Sequence, residues 1–272
     1  MVASGRACGW IILPGRSTGG GGRLPTPGDG AIRPIPRARR TSARRCLPGA
    51  ATGRVWKTRG MFQVAEGVFR LESGGVGPFL IEADGSVLVD AGLPRRGDEV
   101  LAELGVRAKG LAAIVLTHAH PDHIGNVEAL RHASGAPVVA GLAERPLLEG
   151  DWRDASVPSR VVRRLMRPPP TVSVDRWVSD GGRVAGLEVV ATPGHTPGHI
   201  ALLRQGVVIC GDAFITGEHP RESTRWFTTD RDLARRSIER LAGLRPELAL
   251  SAHGPPTPDA TAVLEQLIER WR

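Results

Sequence analysis

Between Thr117 and His123 the chain reads Thr-His-Ala-His-Pro-Asp-His, and four of these side chains, His118, His120, Asp122 and His123, can ligate a metal ion. A lone histidine after an apolar run is ordinarily a hydrogen-bonded structural residue. Four metal-capable groups within six residues point instead to a metal site. Imidazole and carboxylate without thiolate is the ligand set of open, hydrolytic sites, whereas thiolates dominate closed structural ones. Three further groups stand in similar settings: His195 in Thr-Pro-Gly-His, Asp212 in Gly-Asp, and His253 in Ala-His-Gly. Two ions roughly 3.5–4 Å apart need about three ligands each and a bridge. A carboxylate has two oxygens, so Asp212 is the natural bridge. Asp122 could also serve as a helix-start carboxylate favoured by the helix dipole. His199 and His132 read as structural or solvent-facing. His219, in a loop soon after Asp212, reads as structural, with a substrate contact as the sharper alternative.

Each ligand group follows a short apolar run, at 111–116, 187–191, 207–210 and 248–250. Such runs read as buried strands, and strand ends sharing one sheet edge bring their next residues together. Strands are expected at 62–64, 68–71, 78–82, 86–90, 138–140, 184–191, 200–204, 206–210 and 247–251. The 78–82 and 86–90 pair should turn at Asp84-Gly85. Helices are expected at 97–105, at 122–133 with Pro121 in the first turn and Gly135 beyond the end, and at 230–242. A last helix is expected at 258–271, capped by Thr257 and opened by Pro258. Residues 141–170, with Trp152, the basic stretch 160–167 and three prolines at 168–170, read as an excursion with helical pieces that covers something.

The net charge of +8 over 272 residues is uneven. Residues 1–60 hold twelve of the 36 Lys+Arg and one acid, Asp29, a net +11, which leaves −3 for 61–272. A nucleic-acid partner is therefore not expected for the body. The leader has a glycine run, six prolines and no periodicity, so it reads as disordered. It is either a true tail or the product of a start assigned upstream of Met61. The expected organisation is thus a leader, 1–60, and one catalytic domain, 61–272. Three cysteines without a Cys-x-x-Cys pair make no disulfide framework and point to a reducing, cytoplasmic setting. No apolar run is long enough for a membrane span.

The motifs Val89-Asp90-Ala91-Gly92, Thr117-His-Ala-His-Pro-Asp-His-Ile-Gly-Asn126, Pro193-Gly194-His195-Thr-Pro-Gly-His199, Gly211-Asp212 and Ala252-His253-Gly254 resemble, in this order, the metallo-β-lactamase-fold hydrolase superfamily. The resemblance covers 61–272 and is nearest to the glyoxalase II-like branch, because the bridge position is Asp. It implies an α/β (α+β) fold, a four-layer αββα sandwich with the site at one edge. It implies a first metal on His118, His120 and His195, a second on Asp122, His123 and His253, a shared Asp212, and Asp90 holding a ligand histidine in the right tautomer. Two departures narrow it. Nineteen residues follow His253, too few for the glutathione-binding helices of glyoxalase II, and there is no Tyr to match the active-site Tyr of related lactonases.

The activity implied is a dinuclear hydrolase, with two Zn²⁺ (Fe or Mn also compatible), whose bridging hydroxide attacks an ester, thioester, lactone or amide carbonyl. Asp122 is the candidate to share in proton transfer. A small-molecule substrate should lie under 141–170 and near 215–229, where Arg221, Arg225, Trp226 and Phe227 could form a cationic wall. Competing readings are a mononuclear-iron, persulfide dioxygenase-like oxidoreductase and a phosphodiesterase. The oligomeric state is not readable from the sequence.

Overall fold

Alternation of apolar residues builds two sheets, and their shared buried face is the middle of the molecule. The computed structural model describes residues 60–272 except 73, 154, 169 and 170, and the expectations for the leader lie outside these. Strands β1 (Phe62–Ala65), β2 (Val68–Arg70), β3 (Phe79–Ala83), β4 (Gly85–Val89), β5 (Leu111–Leu116), β6 (Val138–Gly141) and β7 (Arg176–Val178) form a seven-stranded sheet in that order. β1 to β4 are antiparallel, and β4 to β7 are parallel through helical crossovers. A second, six-stranded sheet has the order β15-β14-β11-β10-β9-β8. Its strands are β8 (Arg183–Val184), β9 (Leu187–Ala191), β10 (Ile200–Arg204), β11 (Val207–Ile209), β14 (Leu248–Leu250) and β15 (Thr257–Pro258). A separate ribbon pairs β12 (Phe214–Ile215) with β13 (Arg221–Glu222).

Helices cover both outer faces. On the first sheet lie α1 (Gly97–Leu104), α2 (Pro121–Ile124), α3 (Val127–Ser134), α4 (Arg145–Leu148) and α5 (Val157–Met166). On the second lie α6 (Arg231–Gly243) and α7 (Ala260–Glu269). Three apolar clusters match the three interfaces. Leu80, Leu88 and Ile114 pack against Val100, Val127 and Leu130 of the first helical layer. Ile81, Val87, Val115 and Val139 meet Leu187, Val189, Leu202 and Ile209 between the sheets. Ala201, Val208 and Ala249 meet Ile238, Leu241, Leu264 and Leu267 on the other side. Period-two alternation in each strand thus feeds two cores at once. The result is the expected four-layer αββα sandwich.

Several boundaries differ from the sequence expectation. The helix expected at 122–133 is two helices, α2 and α3, because Asn126 leaves the helical path to donate to the Ala91 and Leu93 carbonyls (2.7 and 2.6 Å) and accept from Arg96 N–H (3.0 Å). The strand expected at 184–191 is the β8–β9 hairpin, turning at Ala185 and Gly186, both with positive φ. Thr257 and Pro258 do not open the last helix: they pair with β14, and α7 starts at Ala260 without a side-chain cap. β7, β12 and β13 lacked a periodic signal and were not expected; each has only two or three residues. Residues 141–168 do form helical pieces over the first sheet's edge.

Candidate metal centre

Four strands end at one edge of the sandwich. β5 runs out of the first sheet into Thr117 and His118, and Pro121 then opens α2 under Asp122 and His123. In the second sheet β10 is antiparallel to both β9 and β11, and β14 is parallel to β11. β9, β11 and β14 therefore point the same way, toward His195, Asp212 and His253. The two sheets are tied at this edge by Ile200 N–H donating to Thr117 O (3.0 Å) and Gly77 N–H donating to Ala252 O (3.1 Å). Gly211 is required where β11 turns into Asp212. Its φ is +49°, and a Cβ there would lie 2.7 Å from His199 Nε2.

All seven candidate ligands converge. His120 Nδ1 lies 3.0 Å from both His118 Nε2 and His195 Nε2. His253 Nε2 lies 3.2 Å from Asp122 Oδ2 and 3.3 Å from His123 Nε2. Asp212 touches both sets: Oδ1 is 3.4 Å from His123 Nε2, and Oδ2 is 3.4 Å from His253 Nε2 and 3.7 Å from His195 Nε2. The groups His118–His120–His195 and Asp122–His123–His253 each bring three donor atoms close enough to hold a metal ion, and so does His118–His123–Asp212.

The nitrogen of each ligand histidine that faces away from the cluster is held by the protein in four of the five cases. Asp90, at the end of β4, accepts from Thr117 N–H (2.8 Å) and Thr117 Oγ1 (2.9 Å) and from His123 Nδ1 (2.8 Å). Since the Thr117 hydroxyl donates to Asp90, it accepts from His118 Nδ1 (3.0 Å), which frees His118 Nε2. His120 Nε2 faces Ser159 Oγ at 3.1 Å, and His195 Nδ1 faces Thr228 Oγ1 at 3.4 Å. Such partners fix ring orientation and tautomer in metal sites. His199 Nε2 accepts from the Asp212 backbone N–H (3.0 Å), so it positions the carboxylate from behind. His132 and His219 are exposed and belong to none of these ligand groups.

The charge balance fits a cation. Burial holds the imidazoles of His118 and His195 well below their ordinary pKa and His120 at about 4, so these three are neutral donors. Burial opposes charge on His123 too, but the carboxylates of Asp90, Asp212 and Asp122 outweigh it and raise it to about 9. Burial is likewise overcome at His253, which Asp122 and Asp212 raise to about 10. The carboxylates draw positive charge in. Asp212 Oδ1 is buried without a hydrogen-bond partner, a costly state for a carboxylate oxygen unless something else binds it. Nitrogen and oxygen donors without sulfur suit zinc, iron or manganese. Cys210 is buried at the end of β11, and burial raises its thiol pKa above the ordinary range, so it is packed as core.

Ser159 and Thr228 were not read from the sequence, nor were two further positioning residues. Glu144 is 1% exposed; Oε1 accepts from Ala119 N–H (2.8 Å), and Oε2 accepts from Thr196 Oγ1 (2.9 Å) and Gly198 N–H (2.8 Å). It clamps the loop of His118 and His120 to the loop of His195. Burial pushes its carboxyl up to about 7, against those three donors. Arg70 donates to the Ala252 and Gly254 carbonyls on either side of His253.

The four residues expected to form a substrate wall divide between two places: Phe227 lies beside the cluster, whereas the Arg225 guanidinium lies 5.4 Å from the centroid of the Trp226 ring. Phe227 stands edge-on to the His120 ring at 6.4 Å, and Trp226 is 62% exposed. Arg221 and Arg225 line a separate cavity with α6 and α7. Access to the cluster is from the Asp122 and His253 side, where side-chain exposure is 23% and 27%, against 10% or less at Asp212, His195 and His123. Helix α5 closes the opposite side through Ser159, with Trp152 6.3 Å from His120.

The buried cluster of imidazoles and carboxylates, open on one side at the edge of an αββα sandwich, could hold metal ions. The chain belongs to the metallo-beta-lactamase superfamily: the match to that family spans residues 78–253. It is 35% identical over 228 residues to the "Probable metallo-hydrolase YflN" of Bacillus subtilis (strain 168), covering 72% of this chain and 86% of that one. It is 33% identical over 180 residues to the hydroxyacylglutathione hydrolase of Ectopseudomonas mendocina (strain ymp), covering 60% of this chain and 59% of the relative. Among solved structures, TTHA1623 in a di-iron-bound form superposes with a TM-score of 0.60 and 29% identity, over 71% of this chain and 96% of that one. Among the described residues no helix is long and apolar enough to cross a membrane.

Proposed function

We propose that the chain is a dinuclear metal-dependent hydrolase that opens a carbonyl ester, thioester, lactone or amide. One ion would be held by His118, His120 and His195, the other by Asp122, His123 and His253, with Asp212 shared. The observation that carries this reading is the Asp212 carboxylate, whose two oxygens reach His123 on one side and His253 and His195 on the other. Bound there, a cation pair supplies Lewis acidity, lowering the pKa of a water toward about 7 and polarising a carbonyl. The protein's part is positional. Asp90 and Thr117 orient His123 and His118, His199 sets the Asp212 backbone, and Glu144 joins the two loops. α5, Trp152 and Phe227 keep water from the closed side, and substrate enters past Asp122 and His253. Asp122 is the outermost carboxylate of the set and the one placed to share a proton with a leaving group.

A complete second ligand group favours this over a mononuclear-iron oxidoreductase, which needs only one. The likeness to a hydroxyacylglutathione hydrolase supports placing thioesters in the substrate panel, and the di-iron-bound form of TTHA1623 supports iron beside zinc or manganese as the native metal. A small-molecule substrate and a cytoplasmic setting belong to the same proposal, and the −3 charge of 61–272 argues against a nucleic-acid partner. Metal analysis of the full chain, with a thioester, lactone, β-lactam and phosphodiester panel, tests it. Two ions per chain are expected, with hydrolysis of a carbonyl substrate that falls at least about a hundredfold in His120→Ala. One iron per chain with oxygen uptake on a persulfide would overturn it, and turnover of the phosphodiester alone would replace the substrate class.

A further inference from the structure

An open cavity of about 480 Å³ lies between the β12–β13 ribbon, α6 and the end of α7, and none of the seven candidate ligands lines it. Five arginines do: Arg221, Arg225, Arg231, Arg235 and Arg270. Glu222 is the one carboxylate among the lining residues, so the wall carries a net +4 in a region, 61–272, whose total is −3. Composition alone does not account for that concentration of charge.

Glu222 is already committed. Its two oxygens accept from Arg231 (2.8 and 2.9 Å) and Arg235 (3.2 and 2.9 Å), and these contacts hold its carboxyl down to about 2. Arg231 and Arg235 are thereby fixed as wall. Arg221, Arg225 and Arg270 have no carboxylate partner among the described residues. Like charges gathered in a concavity focus a positive potential and draw an anion. Guanidinium presents a planar donor fork that matches phosphate oxygens better than it matches a halide. Trp271 adds a flat ring to the same wall, with the Arg235 guanidinium 5.0 Å from its centroid. The volume falls within the range of small-molecule sites.

We propose that this cavity binds a phosphate-bearing small molecule of about mononucleotide size, at a site separate from the metal cluster. The cavity and the cluster share one stretch of chain: Ser223 to Arg225 line the cavity, while Phe227 and Thr228 approach His120 and His195. The inference does not depend on the reaction at the cluster, and its test reads binding without turnover.

Titration calorimetry of the metal-loaded full chain with adenosine 5′-monophosphate, against sodium chloride of matched ionic strength, tests it. One saturable site per chain is expected, weakening as salt rises. The triple variant Arg221→Ala, Arg225→Ala, Arg270→Ala should keep its metal content and lose at least about tenfold in affinity, since each charge-assisted contact is worth roughly that much. Asp122→Asn, which alters the cluster, should bind the nucleotide as the parent does. No saturable heat above the salt control, unchanged affinity in the triple variant, or loss of binding in Asp122→Asn would each overturn the proposal.

Discussion

Side chains that touch no metal decide how the ligands stand. Glu144 accepts two backbone N–H groups and a hydroxyl from the two ligand loops and has a pKa of about 7 in the fold, against an ordinary value of 4.5. A raised folded-state carboxyl pKa means the folded protein holds a proton that the unfolded chain has lost. This stabilising contribution is full below pH 4.5 and fades as pH rises toward 7. Urea midpoints should therefore fall across that window by the equivalent of a few kcal/mol from this group, and Glu144→Gln should flatten the trend while lowering metal content. An unchanged slope in the variant would assign the pH dependence elsewhere. Arg70 gives a second case, because it donates to carbonyls on both sides of His253. Arg70→Met should cost about 1.5–3 kcal/mol, and in competition with a chelator the stoichiometry should drop toward one ion before it does in the parent. Asp90 was expected from the Val-Asp-Ala-Gly motif that carries the family resemblance. Glu144 was not, because its partners are backbone groups of distant loops and leave no pattern in the side chains around it.

Elements long enough to repeat their period were legible, and those set by a single tertiary contact were not. β5 reads as a buried strand and is one, at Leu111–Leu116, with Ala112 alone exposed. α6 shows a helical stripe, Ala234, Ile238 and Leu241, and is capped by Asp230, whose carboxylate accepts from Leu233 N–H at 2.9 Å. The periodicity of Ile124, Val127 and Leu130 was equally clear, but it does not show that Asn126 has better partners in the 91–96 loop than in a helix. Thr257-Pro258 looks like a helix start, yet the free edge of β14 takes it as a strand. The ligand loops depend on similar close approaches. Gly194, just before His195, has φ +126°, and a Cβ there would fall 2.1 Å from the Ala234 backbone nitrogen in the first turn of α6. Gly194→Ala should thus cost at least about 3 kcal/mol, combining backbone strain and displacement of α6, and should reduce metal content in proportion. Calorimetry and metal analysis on the same sample check this; a melting temperature within a degree of the parent would contradict it.

The ligand set is divided between the two sheets: His118, His120, Asp122 and His123 follow the first, and His195, Asp212 and His253 follow the second. Bound metal should therefore stabilise the sandwich as a unit. At a hundred times its dissociation constant it adds about 2.7 kcal/mol, or roughly 5–10 °C for a domain of this size, which a chelator should remove. Asp212→Asn should show little of that shift. A chelator-insensitive melting temperature in the parent would mean the cluster contributes nothing to the fold. The layer order was expected only from the resemblance of the motifs to a known family, whereas the convergence of loops was readable because the ligand groups follow strands. Of the cationic cavity only Arg221 and Arg225 were read, as a cationic wall; Arg231, Arg235 and Arg270 join them through the packing of a short ribbon against the last two helices. The division of ligands also orders events in time. A refolding chain can gather His118, His120 and His123 within a few residues, but His195 and His253 arrive only when the second sheet docks across a long stretch of sequence, a slow class of contact. Tight metal capture during refolding should then lag behind the appearance of secondary structure, making the ion a clock for the docking of the two halves.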